Sequence, residues 1–195
     1  MNVAGIILAG GASRRMGSPK ALLPFEGQTF LDRLIDNFAG ACQQVVVVLG
    51  YQPEQIRAGV QSPAQFVVNE QHELGQTTSL QCGLRAVDHP VEAILFTPVD
   101  YPAVKTSTVR ALVDSFEPQY PFVIPRYGGR RGHPVLFSGI LSFDFLRLPP
   151  DAAARDVVHA YASETRYVDV EDPGVVHDVD NPQDYAELLL LRPSP

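Results

Sequence analysis

The sequence predicts an α/β fold with a mostly parallel central sheet and helices on both faces. Three observations carry this. Short apolar runs alternate with stretches of helical spacing through the first hundred residues, the order of β-α-β crossover units. The run Val45–Leu49 holds only Val and Leu, the pattern of a strand buried on both faces, as parallel sheets require. The 17 prolines and 15 glycines are scattered between the runs as punctuation and are not gathered into a linker.

Taken in order, Val3–Leu8 reads as a short buried strand. Thr29–Ala39 places Phe30, Leu31, Leu34, Ile35 and Phe38 at helical spacing. Val45–Leu49 is a strand, Pro53–Val60 a short helix and Gln65–Val68 a further strand. Thr78–Val87 reads as a helix capped by Thr77 or Thr78. Ala93–Thr97 is the next strand. Ser107–Phe116 is a helix with Val109, Leu112, Val113 and Phe116 on one face. Phe122–Arg126 and His133–Phe137 flank a glycine-rich connection and predict a hairpin or two neighbouring strands. Ala152–Ala162 is a helix behind an Asp151 cap, Arg166–Val170 a late strand, and Pro182–Leu191 a closing helix with Pro in its first turn. Residues 1–191 are expected to form one domain, with Arg192-Pro193-Ser194-Pro195 a loose tail. Ligands of such sheets bind beyond the carboxyl ends of the strands, which selects the loops after Leu8, Val68 and Thr97.

Composition narrows the function. Fifteen basic residues against 22 acidic ones give a net charge of −7, which excludes general nucleic-acid binding. With 45% hydrophobic and 19% charged residues, the chain is not disordered as a whole. Cys42 and Cys82 cannot form a disulfide scaffold and have no metal-ligand spacing. The amino-terminal MNVAGIILAGG lacks the basic region and apolar length of a signal peptide, and no run approaches the ~20 apolar residues of a membrane helix. A soluble cytoplasmic protein with no membrane partner is expected.

The loop Ala9-Gly10-Gly11-Ala12-Ser13-Arg14-Arg15-Met16-Gly17-Ser18-Pro19-Lys20 directly follows the first strand and holds three of the 15 cations. Small residues let backbone N–H groups approach a phosphate, and Arg and Lys neutralise its charge. The loop matches neither the G-x-x-x-x-G-K-[ST] nor the G-x-G-x-x-G pattern. Asp100, at the carboxyl end of Ala93–Thr97, is placed to hold Mg²⁺ near that loop, or to serve as a turn aspartate between Pro98 and Pro102. Asp178 and Asp180 share a face if their segment is extended, and Asp180 equally suits the cap of the helix opening at Pro182. His133, between Gly132 and Pro134 and after Arg130-Arg131, is placed to receive an anionic substrate, or merely starts a strand. The five histidines lack zinc spacing, and no G-x-S-x-G elbow is present.

LAGGASRRMGSPKALLP resembles the signature of the nucleotidyltransferases that make molybdenum cofactor dinucleotides, with Arg15-Met16-Gly17 and Lys20 at family spacing. The resemblance continues through Thr29–Asp32, Val46–Tyr51, Asn69…Gly75…Ser79-Leu80, Pro98–Pro102, Gly132–Phe137 and Asp178–Asp184. The Gly132–Phe137 and Asn69–Ser79 segments are most similar to the molybdenum cofactor cytidylyltransferases. Gly10 is similar to the guanylyl branch, since the cytidylyl branch usually has Ala there. Val99 stands where the family often has Gly or Cys. The resemblance implies a Rossmann-like nucleotidyltransferase fold that transfers CMP from CTP to the terminal phosphate of the molybdenum–molybdopterin cofactor and releases pyrophosphate. It implies Arg15 and Lys20 on the triphosphate, and backbone at Ala9, Gly10 and Gly11 on the nucleotide. Ser79 and the backbone near Gly75 meet the base, Asn69 the sugar, and Gly132 and His133 the pterin side. The same resemblance implies that Asp100 holds Mg²⁺ and that Asp180 approaches the same ion. The alternatives are a guanylyltransferase, another NTP:phosphate-acceptor nucleotidyltransferase, or a carrier handing the finished dinucleotide to an apo-molybdoenzyme client.

Overall fold

A computed structural model describes residues 1–190. The chain runs β1 (Val3–Ala9), β2 (Pro24–Phe25), β3 (Gln28–Thr29), α1 (Phe30–Ala39), β4 (Gln44–Leu49), α2 (Pro53–Gly59) and β5 (Gln65–Val68). It continues through α3 (Gln76–Ala86), β6 (Ala93–Pro98), α4 (Thr106–Asp114), β7 (Phe122–Tyr127), β8 (Arg130–Arg131) and β9 (Val135–Ser138). It closes with α5 (Ser142–Leu146), α6 (Ala154–Ala160), β10 (Arg166–Asp169) and α7 (Pro182–Leu190).

The central sheet has the order β10-β7-β9-β6-β1-β4-β5, with β8 on β7, and is parallel except where β9 runs between β6 and β7 and where β8 folds back. In β1, Ile6 lies between Val46 of β4 and Phe96 of β6. All seven β1 residues are buried, and their alternation divides the core in two. Val3, Ile7 and Ala9 pack with α1, α2, α4 and α7 through residues such as Phe38, Ile56, Leu112 and Leu188. Ala4, Ile6 and Leu8 pack with α3, α5 and α6 through Leu84, Phe145 and Val157. A strand with an apolar core on each side has no polar face, which is why β1 and β4 read as unbroken apolar runs.

Several local expectations change. Helix α3 begins at Gln76 behind Gly75, so neither Thr77 nor Thr78 is its cap. Both hydroxyls have tertiary partners instead. Thr77 Oγ1 donates to the Ala152 carbonyl at 2.6 Å and accepts from Ala154 N at 3.2 Å. Thr78 Oγ1 accepts from Asn69 Nδ2 at 3.0 Å and lies 3.0 Å from the Gln71 carbonyl. The Thr77 contact fixes the entry of α6, which starts at Ala154 behind Ala153, and Asp151 is not its cap. The two segments flanking the glycine-rich connection are neighbouring antiparallel strands, β9 pairing directly with β7, while the connection itself contributes the unexpected β8, which Gly128 and Gly129, at φ 54° and 78°, fold back onto β7. The β2–β3 hairpin and α5 were not anticipated, because two-residue strands and a five-residue helix leave no readable period. The tail expected over 192–195, and the last residue of the helix expected to end at Leu191, lie outside the described residues.

Candidate active site

A cavity of about 330 Å³ opens at the carboxyl ends of β1 and β6. Its walls are the Ala9–Lys20 loop, the start of α3, Asp100 and Asp180. The loop reverses at Ser13, whose carbonyl accepts from Met16 N at 2.9 Å and whose hydroxyl accepts from Lys20 N at 3.1 Å. That turn sends the Lys20 stem into the protein, leaving the residue 8% exposed with its ammonium in the cavity. The first turn of α3, from Gly75 to Ser79, lines the opposite wall, where unpaired helix N–H groups favour an anion.

Lys20 Nζ donates to Asp100 Oδ1 at 3.0 Å and to Asp180 Oδ1 at 2.9 Å. Arg15, largely exposed, reaches Asp180 Oδ2 at 3.4 Å. Burial pushes the Asp100 carboxyl above its usual range, although the Lys20 charge and hydrogen bond oppose the shift. Asp180 is held below its usual range, first by the Lys20 hydrogen bond and then by the Lys20 and Arg15 charges, against some desolvation. Asp180 is not a helix cap. Asn181 Oδ1 accepts from Gln183 N at 2.9 Å and Asp184 N at 3.1 Å, and Asp184 reaches back to Asp180 N at 2.7 Å. Asp184 Oδ2 also accepts from Asn181 N at 3.1 Å, and that reciprocal pair is a capping box centred on Asn181, one residue later than the sequence allowed for.

Ala9, Gly10, Gly11, Arg15, Lys20, Gly75, Ser79, Asp100 and Asp180 therefore share one cavity. Asn69 is not brought to it. It is buried, and its amide donates to Thr78 Oγ1 at 3.0 Å and Ser79 Oγ at 3.1 Å. It stands behind Ser79 as a buttress, with no donor left over for a sugar. Sequence reasoning missed Arg14, His72 and Gln76, which also line the cavity. Arg14 carried a signal as a second loop cation, whereas His72 and Gln76 gain their places only through the turn before α3.

Gly132 and His133 line a second cavity of about 260 Å³, which shares Gln76 with the first. Its floor is apolar, with Phe96, Tyr101, Ile124 and Val135, and Arg131 and Arg155 stand at the rim. A Cβ on Gly132 would lie 1.9 Å from the Val175 carbonyl oxygen, so the backbones approach too closely for any other residue. His133 packs against Tyr101 with ring centroids 4.7 Å apart and edge-on to Phe96 at 5.7 Å. Burial lowers its pKa to about 4, so it is a neutral ring at physiological pH, and any anion here is met by arginines. Burial, followed by the Asp178, Asp100 and Asp180 charges, raises Tyr101 to about 12 and keeps its hydroxyl protonated.

Residues 5–165 match the MobA-like NTP transferase domain. The chain belongs to this family. As a member it is a nucleotidyltransferase, with the α/β fold of the family's solved structures. It is 32% identical over 96% of both chains to nicotine blue oxidoreductase of Paenarthrobacter nicotinovorans. It is 28% identical over 92% of both chains to the molybdenum cofactor cytidylyltransferase of Escherichia coli. Among solved structures it resembles Rv0371c of Mycobacterium tuberculosis, at 32% identity, 97% of both chains and a TM-score of 0.86. A second structure of that protein, at 29% identity over 98% of this chain and 100% of the other with a TM-score of 0.83, is a complex with manganese.

The transferase's donor set fits a divalent ion. Two carboxylate oxygens converge within 3.0 Å of a single cationic atom, Lys20 Nζ. Among the described residues no group of three or more His, Cys, Asp or Glu side chains could hold a metal ion, so phosphate and water oxygens would have to complete the shell. That division of ligands suits Mg²⁺ or Mn²⁺ at a triphosphate site. No helix of the described residues is long and apolar enough to cross a membrane.

Proposed function

We propose that the transferase moves CMP from CTP to the terminal phosphate of the molybdenum–molybdopterin cofactor and releases pyrophosphate, in the cytoplasm and with Mg²⁺. The observation that carries this reading is the pairing of two cavities at Gln76: a charged one against the glycine loop, and an apolar one with arginines at its rim. The first has the chemistry of a nucleoside triphosphate and the second that of a flat heterocycle bearing a phosphate. The 28% identity to a cytidylyltransferase over nearly the full length supports the donor and acceptor.

The acceptor phosphate is anionic at neutral pH, so it needs alignment more than a base. Its oxygen attacks the α-phosphorus of CTP. The new O–P bond forms as the bond to the β-phosphate oxygen breaks, and that electron pair leaves with pyrophosphate. Lys20 and Arg15 stabilise the triphosphate charge from one side, and the N–H groups of the glycine loop from another. Asp100 and Asp180 are the residues that would hold the divalent ion, whose chemistry there is neutralisation of phosphate oxygens. Gly75 and Ser79 receive the base, and Asn69 acts by holding the Ser79 hydroxyl in place. Gly132 and His133 shape the acceptor pocket. Pyrophosphate release from CTP, GTP, ATP and UTP, with and without molybdopterin cofactor, tests the reading: release is expected with CTP and only when the acceptor is present.

The relative named as an oxidoreductase favours a second reading, in which the same two cavities bind a reducing dinucleotide and an apolar ring compound. Reduction of nicotine blue by an added hydride donor, with no pyrophosphate released from any NTP, would establish that reading instead.

A further inference from the structure

The ammonium of Lys20 sits between Asp100 Oδ1 and Asp180 Oδ1 at 3.0 and 2.9 Å, and the guanidinium of Arg15 lies against the other Asp180 oxygen at 3.4 Å. Two cationic groups thus hold two carboxylates already neutralised. We propose that Lys20 is a built-in counter-ion at the divalent metal's place, so that metal binds weakly until a triphosphate draws Lys20 away from the two aspartates. This rests on Asp100 and Asp180 being the metal ligands.

The argument is electrostatic. A divalent cation approaching the two carboxylates meets a fixed positive charge on the same oxygens, within a pocket where Lys20 is 8% exposed and poorly screened. A triphosphate removes that obstacle, because it offers Lys20 and Arg15 anionic oxygens of their own and leaves the aspartates uncompensated. The Lys20 stem is anchored by the Lys20–Leu22 turn, so the ammonium can change partners by side-chain rotation alone. Metal and nucleotide then bind with positive coupling, and metal alone binds weakly.

The test measures Mn²⁺ binding to the nucleotide-free protein, by the electron paramagnetic resonance signal of unbound Mn²⁺, in wild type and Lys20→Met. Methionine keeps the stem's packing and removes the charge. Lys20→Met is expected to bind Mn²⁺ about tenfold tighter than wild type, within the usual range of coupling between ligands. Arg15→Gln, at an exposed position that does not threaten folding, is expected to bind about twofold tighter, as befits a screened pair. Unchanged or weaker Mn²⁺ binding in these variants overturns the counter-ion role. Should Lys20→Met fail to fold, Arg15→Gln decides alone. Absence of Mn²⁺ binding in wild type and variants alike overturns the assignment of the aspartates as metal ligands, and the inference with it. Neither result depends on which nucleotide or acceptor the enzyme uses.

Discussion

Val179 donates its backbone N–H to the carbonyl oxygen of Asp100 at 2.9 Å, joining the end of β6 to the segment before α7. Val179 is fully buried, so its neighbours Asp178 and Asp180 turn the other way, toward Tyr101 and Lys20. One backbone hydrogen bond thus carries an acidic group from the carboxyl-terminal part of the chain to the glycine loop.

Asp180→Asn separates charge from fold. Because Asn181 caps α7, the variant is expected to unfold within ~0.5 kcal/mol of wild type in urea. The Mg²⁺ concentration for half-maximal pyrophosphate release is expected to rise about tenfold, equivalent to about 1.4 kcal/mol. An unchanged magnesium titration would leave Asp100 as the sole protein ligand.

Lys20→Ala is expected to lower the rate of pyrophosphate release roughly 10²–10³-fold, the usual cost of removing one preorganised charge contact at the transferring group. Stopped-flow or coupled assays at saturating CTP measure it. A wild-type rate would remove Lys20 from the triphosphate.

Gly10→Ala bears on the choice of base. The added Cβ would lie 3.3 Å from Ser79 Oγ and 3.6 Å from Gly50 N, close enough to narrow the pocket without breaking it. Discrimination for CTP over GTP in kcat/KM is expected to increase several-fold, since a methyl-sized change in a pocket is worth about 1–3 kcal/mol. A shift toward GTP would reverse the assignment of the pocket.

Arg155→Ala probes the second cavity. Arg155 is exposed on α6 at the rim, away from Lys20. The KM for the molybdopterin acceptor is expected to rise about tenfold through loss of a charge-assisted contact, with the KM for CTP unchanged. Equal changes in both constants would place Arg155 at the nucleotide.

Asp32 supplies a pH signature of folding far from the chemistry. Burial raises its pKa, but hydrogen bonds from the Thr29 hydroxyl and from Ser62 N and Gln61 N outweigh that and hold it below the usual carboxylate value. The folded pKa is below the unfolded one, so this stabilisation is complete above the unfolded value and is lost as pH falls through the folded value. Asp32→Ala is expected to cost roughly 1–3 kcal/mol at pH 7, from two N–H groups left without an acceptor. In urea melts the gap between wild type and variant should narrow as pH drops below about 4. A constant gap down to pH 3 would show that the charge is not the stabilising feature.

The sequence by itself determined the sheet and the loop. Val3–Leu8 and Val45–Leu49 announced doubly buried strands because no polar residue interrupts them, and Ala9–Lys20 announced an anion site because its glycines and cations are contiguous. Local patterns of this kind survive in one dimension. The tertiary structure alone decided the rest. It took Asn69 from the sugar to the back of Ser79, moved the α7 cap from Asp180 to Asn181, and left His133 neutral beneath Tyr101. It also set Lys20 between Asp100 and Asp180, residues 80 positions apart. Burial, a shared hydrogen bond and the sum of nearby charges depend on which distant segments meet, and no spacing along the chain encodes them.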